Sequence, residues 1–226
     1  MSTSNDEVVT TNPPAGADRT YGQYCGLARA LDLVGERWAL LVVRELLLGP
    51  KRFTDLLDGL PGVSTNVLAT RLRQLDRAGV VGRSTLPPPA ASAVYELTPY
   101  GRALEPAVAA LGRWGAASLG ERGPDQALRS HWLALALKAF FHPEQADGST
   151  HVYEVRLREG AFRLAVADGT LEVVPGPAVD PDLVLEADDD LLVGVLAGQV
   201  EPAALTVVAG DPAEVPRFVE LFRFAA

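Results

Sequence analysis

The chain has 226 residues, 48% hydrophobic and 22% charged, the balance of a globular protein able to bury one large or two ordinary cores. Its longest apolar run, HWLALALKAFF (131–141), is too short for a membrane span, and one cysteine excludes an internal disulfide framework. The net charge of −9 argues against a uniformly basic nucleic-acid binder, yet it is unevenly spread. Residues 20–123 hold 12 Lys+Arg against 9 Asp+Glu, whereas residues 124–226 hold 7 against 17. The first stretch, at +3, suits a polyanion and the second, at −10, repels one.

Residues 1–20 are rich in Ser, Thr, Asn and Pro and lack a basic cluster followed by an apolar core. A disordered tail on a cytoplasmic protein is expected there, not an export signal. GLARALDLVG (26–35) and ERWALLVVRELLLG (36–49) have helical apolar spacing, with Glu36, Arg37, Arg44 and Glu45 placed to emerge at the surface. RFTDLLDGL (52–60) is a short helix with Thr54 as candidate cap, closed by Pro61-Gly62. Ser64 caps the next helix and Gly79 ends it. VVGRSTL and AVYELT then form a hairpin around a proline-rich tip, and a single helix is predicted over residues 99–123.

GERGPDQ marks a boundary near residues 120–126. Beyond it, ALRSHWLALALKAFFHP is an apolar helix, followed by strands at 151–160, 161–169, 170–176 and 181–187. One of Asp188, Asp189 or Asp190 caps the helix LLVGVLAGQ, and a strand (204–210) and a helix (214–224) finish the chain. The fold class is therefore α+β. The predicted division is a tail (1–20), a helix-turn-helix unit with a wing (21–123) and a second α/β unit (124–226).

The helix at 64–77 carries the functional signal. At about 100° per residue, with Leu68 at 0°, Leu72 and Leu75 fall at about 40° and 340°. Asn66, Thr70, Arg73 and Arg77 fall at about 160°, 200°, 140° and 180°, on the opposite side. A solvated face is the plain explanation, but the preceding short helix, tight turn and following hairpin make a winged helix-turn-helix. In that motif the second helix enters the DNA major groove, where amide and guanidinium forks match base edges.

Cys25, LVGERW (33–38), RELLLGPKRF (44–53), LPGVS (60–64), LATRLRQL (68–75), Gly79 and YELTPYG (95–101) resemble the HxlR-type winged helix-turn-helix regulators. The resemblance implies a homodimer on two-fold double-stranded DNA, joined through residues 21–34 and 101–118, with repression as the usual outcome. It assigns base reading to Ser64, Thr65, Asn66, Thr70, Arg73 and Arg77, and phosphate contact to Arg52 and Arg83. Arg71, at about 300°, is a further DNA candidate that lies near the seam and can instead bridge to a neighbouring helix. The wing tip PPPAASAV lacks a basic residue, which shifts specificity onto the helix. The family likeness also makes Cys25 a candidate redox sensor; the alternative is a small buried hydrophobe.

Residues 181–222 resemble the sterol-carrier-protein (SCP2) fold, in an order of strand, acid-capped helix, strand and helix. That fold implies a tunnel for an apolar small-molecule effector, with Trp132, Leu135, Phe140, Phe141, Phe162, Phe218 and Phe222 as candidate lining. A filled core that binds nothing is the alternative. His131, His142 and His151 have no metal-ligand spacing, and neither a phosphate loop nor a G-x-S-x-G or H-E-x-x-H motif occurs. No metal, cofactor or enzymatic activity is expected. The rival function is an apolar-metabolite carrier or hydrolytic enzyme that does not bind DNA.

Overall fold

A computed structural model describes residues 20–87, 89, 91–146 and 148–224. The expected tail lies, through residue 19, outside the described residues, as do Pro88 and Ala90 of the wing tip and Asp147. The chain divides into two compact units, one ending at Leu104 and the other beginning at Glu105.

In the first unit, α1 (Gly26–Val34), α2 (Ala39–Leu46), α3 (Phe53–Gly59) and α4 (Thr65–Arg77) precede a hairpin of β1 (Val81–Thr85) and β2 (Ala93–Leu97) and a short α5 (Pro99–Arg102). The hairpin is antiparallel with Val81 opposite Leu97 and Arg83 opposite Tyr95. Lys51 adds a third, one-residue bridge: its N–H donates to Tyr95 O at 3.0 Å and its O accepts from Tyr95 N at 2.8 Å. A single paired residue has no periodicity, so the amino-acid order carries no strand signal there. The core gathers Val42, Val43 and Leu46 of α2, Leu56 of α3, the α4 leucines, and Val80, Val81, Val94 and Leu97.

Two expectations are corrected here. Glu45 does not emerge at the surface but is 1% exposed, between Arg44 Nη2 at 2.9 Å and Lys51 Nζ at 2.7 Å. Pairing makes the burial of its charge tolerable. The α3 start is also not capped by Thr54. Phe53 already belongs to the helix, and Asp55 Oδ2 accepts from Arg52 N at 3.0 Å.

The junction after α4 is tightly specified. Gly79 is left-handed (φ +69°), and Gly79 N donates to Asp76 O while Val80 N donates to Leu75 O, each at 2.9 Å. These are the two bonds of a Schellman stop. Thr98 Oγ1 donates to Gly79 O at 2.6 Å and accepts from Gly101 N at 3.0 Å, so one hydroxyl ends the hairpin and starts α5. Gly101 itself packs against the chain: a Cβ there would lie 2.0 Å from Val80 O.

The single helix predicted over 99–123 is two. After α5 the chain starts again as α6 (Glu105–Ala116), with Pro106 in its first turn. Proline has no N–H to donate and its ring crowds the preceding turn, so the break falls where Pro106 can begin a helix rather than interrupt one.

In the second unit α6 packs against α7 (Ser130–Ala139) through a Lys138–Glu105 ion pair and an Arg113 Nη1 bond to Ala139 O at 2.5 Å. A five-stranded sheet follows: β3 (His151–Leu157), β4 (Gly160–Ala167), β5 (Thr170–Pro175), β6 (Leu183–Glu186) and β7 (Thr206–Gly210), in spatial order β5-β4-β3-β6-β7. The β3–β6 pair is parallel; the others are antiparallel. Of the three candidate acids, Asp188 caps α8 (Asp189–Leu196), its Oδ1 accepting from Leu191 N at 2.7 Å. Asp189 turns inward to Ser130 Oγ at 2.7 Å, and Asp190 pairs with Arg122 at 2.6 Å. The last helix, α9 (Val215–Phe222), buries Phe218, Leu221 and Phe222.

A methyl at position 101 has no room. Gly101→Ala is expected to cost about 1–3 kcal/mol, as overpacked cores do. Urea unfolding of the two proteins checks it, and equal midpoints would show that the close approach is not needed.

Candidate nucleic-acid interface

The interface is built on α4, whose start is set by Ser64. Its hydroxyl oxygen accepts from Val67 N at 3.4 Å, and its extended backbone turns the chain out of the Pro61-Gly62 corner. Leu68, Leu72 and Leu75 are each fully buried, which fixes the rotation of the helix about its axis. Ser64, Thr65, Asn66, Thr70, Arg73 and Arg77 are consequently all exposed, along one side and one end. Arg73 Nη2 donates to Thr70 Oγ1 at 2.9 Å, so these two side chains already share one orientation on the free face.

Arg52 is exposed at the start of α3, and Arg83 is exposed on β1 with its guanidinium 5.2 Å from the Tyr95 ring centre. Arg71 is not brought to the open face. Its side chain is only 11% exposed, bonding Gln74 Oε1 at 2.6 Å and pairing with Glu36 Oε2 at 3.4 Å. At this position the bridge to a neighbouring element prevails over the DNA-facing placement. Helical spacing put Arg71 near the seam but did not reveal its partner, because Glu36 lies 35 residues earlier in the chain.

A model of the HxlR-like helix-turn-helix family matches residues 33–122. An uncharacterized HTH-type transcriptional regulator of Synechocystis sp. is 38% identical over 108 residues, which cover 47% of this chain and 80% of that protein. The chain belongs to the HxlR-like helix-turn-helix family of transcriptional regulators. Another relative, the HTH-type transcriptional regulator YodB of Bacillus subtilis, is 35% identical over 85 residues, covering 38% of this chain and 76% of the relative. A crystal structure of quinone-bound YodB aligns with 31% identity and a TM-score of 0.35, covering 40% of this chain and 96% of that one.

Among the other candidates in this HxlR-like chain, Cys25 is exposed, which corrects the reading of a small buried hydrophobe. It sits immediately before α1, and the backbone N–H groups of Ala28 and Leu27 hold its thiol below the ordinary cysteine range. In the second unit the candidate lining residues lie on α7 and just after it, on β4 and on α9, and differ in burial. Phe218 is fully buried against Tyr153 and Phe222, at centroid distances of 5.5 and 4.9 Å, and Phe162 is 5% exposed. Phe140 packs on Phe224 at 4.9 Å and Phe141 on Phe222 at 5.9 Å, while Trp132 and Leu135 are half-buried on α7. A concavity of about 500 Å³ elsewhere in this unit is lined by Arg122, Arg129, Arg158, Glu159 and Asp190, with Gln126, Ala127 and Leu128, and by none of the seven. Among the described residues no group of three or more His, Cys, Asp or Glu is arranged to hold a metal, and no helix is long and apolar enough to cross a membrane.

The two arginine classes should separate in titrations. Arg73→Ala is expected to lose about 1–3 kcal/mol of discrimination at particular operator positions, whereas Arg52→Ala weakens all duplexes alike. Fluorescence anisotropy against single-base operator variants checks both; a uniform loss for Arg73→Ala would remove it from base reading.

Proposed function

We propose that the protein acts as a homodimer on a two-fold operator, each copy placing the exposed side of α4 in the major groove. The observation that carries this reading is the alignment of Asn66, Thr70, Arg73 and Arg77 on solvent while the three leucines behind them are buried. Amide and guanidinium forks suit adenine and guanine edges, and Arg52 and Arg83 supply charge for phosphates. Self-association is supported in each unit by apolar side chains left on the surface. In the first unit α1 exposes Leu27 (70%) and Leu31 (42%); in the second α6 exposes Trp114 (78%). Repression is the outcome we assign, by occlusion of a promoter. The exposed, acidified Cys25 supports a redox or electrophile response, since the thiolate is the reacting form.

The second unit, with its strand–helix–strand–helix order, is proposed to be SCP2-like and to carry effector control. Its aromatic side chains pack on one another, Phe140 on Phe224 and Phe141 on Phe222, so an apolar effector seated among them must offset the loss of such contacts.

Selection of bound sequences from random duplex DNA tests the central reading. Enrichment of an inverted repeat with half-sites about 10 bp apart, centre to centre, or a multiple of that, is expected. Equal recovery of every sequence, or a single unrepeated half-site bound by monomer, would contradict it. Repeating the titration with apolar compounds tests effector control: a ligand that raises thermal stability should also change operator affinity.

A further inference from the structure

Glu45 is 1% exposed near the end of α2, where a lone carboxylate would be costly to withdraw from water. Its two oxygens are divided between two cations. Oε1 accepts from Arg44 Nη2 at 2.9 Å, and Oε2 accepts from Lys51 Nζ at 2.7 Å. The same Oε2 stands against α3, where a Cβ on Gly59 would collide with it. An apolar filling of such a site is often as stable as a buried ion pair, so stability alone does not account for the charges. What they add is direction, because only a cation in the place of Lys51 Nζ satisfies Oε2.

That direction leads to the wing. Lys51, drawn to Glu45, pairs its backbone with Tyr95 of β2 through N–H···O bonds of 3.0 and 2.8 Å. Tyr95 stands opposite Arg83 of β1, and its half-buried ring lies 5.2 Å from that guanidinium. Glu45, Lys51, Tyr95 and Arg83 thus form one line of contacts, from a buried acid to an exposed cation. A two-stranded hairpin is marginal by itself. The bridge at Lys51 therefore helps fix where Arg83 stands.

We infer that Glu45 is a positioning residue for DNA binding: through Lys51 and Tyr95 it holds Arg83 against an operator phosphate. The inference rests on the DNA-binding reading above and deepens it. Arg83 supplies the charge, and a buried acid, of the wrong sign to touch a phosphate, sets where that charge is presented. Such a contact fixes register on the duplex and does not choose bases.

Glu45→Gln removes a negative charge and no positive one, so charge counting alone expects tighter binding to DNA. The positioning role expects the reverse: roughly tenfold weaker binding of the full-length protein, on the selected operator and on a scrambled duplex alike. In anisotropy titrations from about 50 to 200 mM salt, the slope of log K against log salt should fall in magnitude by about 0.9 for each Arg83 disengaged. Arg83→Ala should do the same. The double variant should bind no more weakly than Arg83→Ala alone, since residues in one line of contacts are not additive. Lys51→Met keeps the aliphatic stem and leaves Glu45 paired with Arg44. It should repeat both results, and it decides the matter if Glu45→Gln does not fold. Unchanged or tighter binding by a folded Glu45→Gln, a loss confined to particular bases, or losses that add to that of Arg83→Ala overturns the inference while the DNA-binding reading stands. Failure of the unsubstituted protein to bind any duplex overturns that reading and this inference together.

Discussion

Everything the first unit presents to its surroundings depends on three leucines. Leu68, Leu72 and Leu75 are wholly withdrawn from water on one edge of α4. Burying each such side chain is worth about 1.5–3 kcal/mol, far more than the exposed polar residues gain from any one rotation of the helix. The apolar edge therefore decides the angle at which Asn66, Thr70, Arg73 and Arg77 stand. The base reading we propose for these side chains needs them held to a fraction of an ångström, and a helix whose rotation is fixed by packing provides that before any DNA arrives.

The ends of α4 are specified as firmly as its middle. At the start, the Ser64 cap and the Glu36–Arg71 pair hold the first turns against the α1–α2 turn. At the far end, the Schellman stop at Gly79 is bonded to Thr98, whose hydroxyl also opens α5, and Gly101 closes over Val80 O. Residues from three separated stretches, 36–38, 62–80 and 98–101, thus converge on one helix. The buried Glu45, held between Arg44 and Lys51, locks α2 to the one-residue strand that carries the base of the wing.

Much of this was legible in the amino-acid order because it is local. Leucine spacing, the Ser64 cap and the Gly79 stop are read within a few residues of one another, and the structure shows all three. The misreadings arise where the deciding partner is distant or the signal is a single residue. Glu45 looks like a surface residue of an amphipathic helix until Lys51 is folded back onto it. The helix break near Leu104 was written in Pro106, but the apolar spacing on both sides concealed it. Trp38, left-handed at φ +77°, carries no sequence mark of such a turn, since glycine is the usual sign. In the second unit the strand sequence was readable from turn residues. Whether its aromatics surround a space or fill one was not, because packing density leaves no trace in spacing.

The unit carrying α4 is slightly basic and the other is acidic, a balance that suits the proposed placement of α4 on a duplex. The central claim, that α4 occupies the major groove, is tested most directly by dimethyl sulfate protection of guanine N7 on the bound operator. N7 faces the major groove, so two protected patches about one helical turn apart, or a multiple of that, are expected. Full binding with every guanine N7 still reactive would contradict the account.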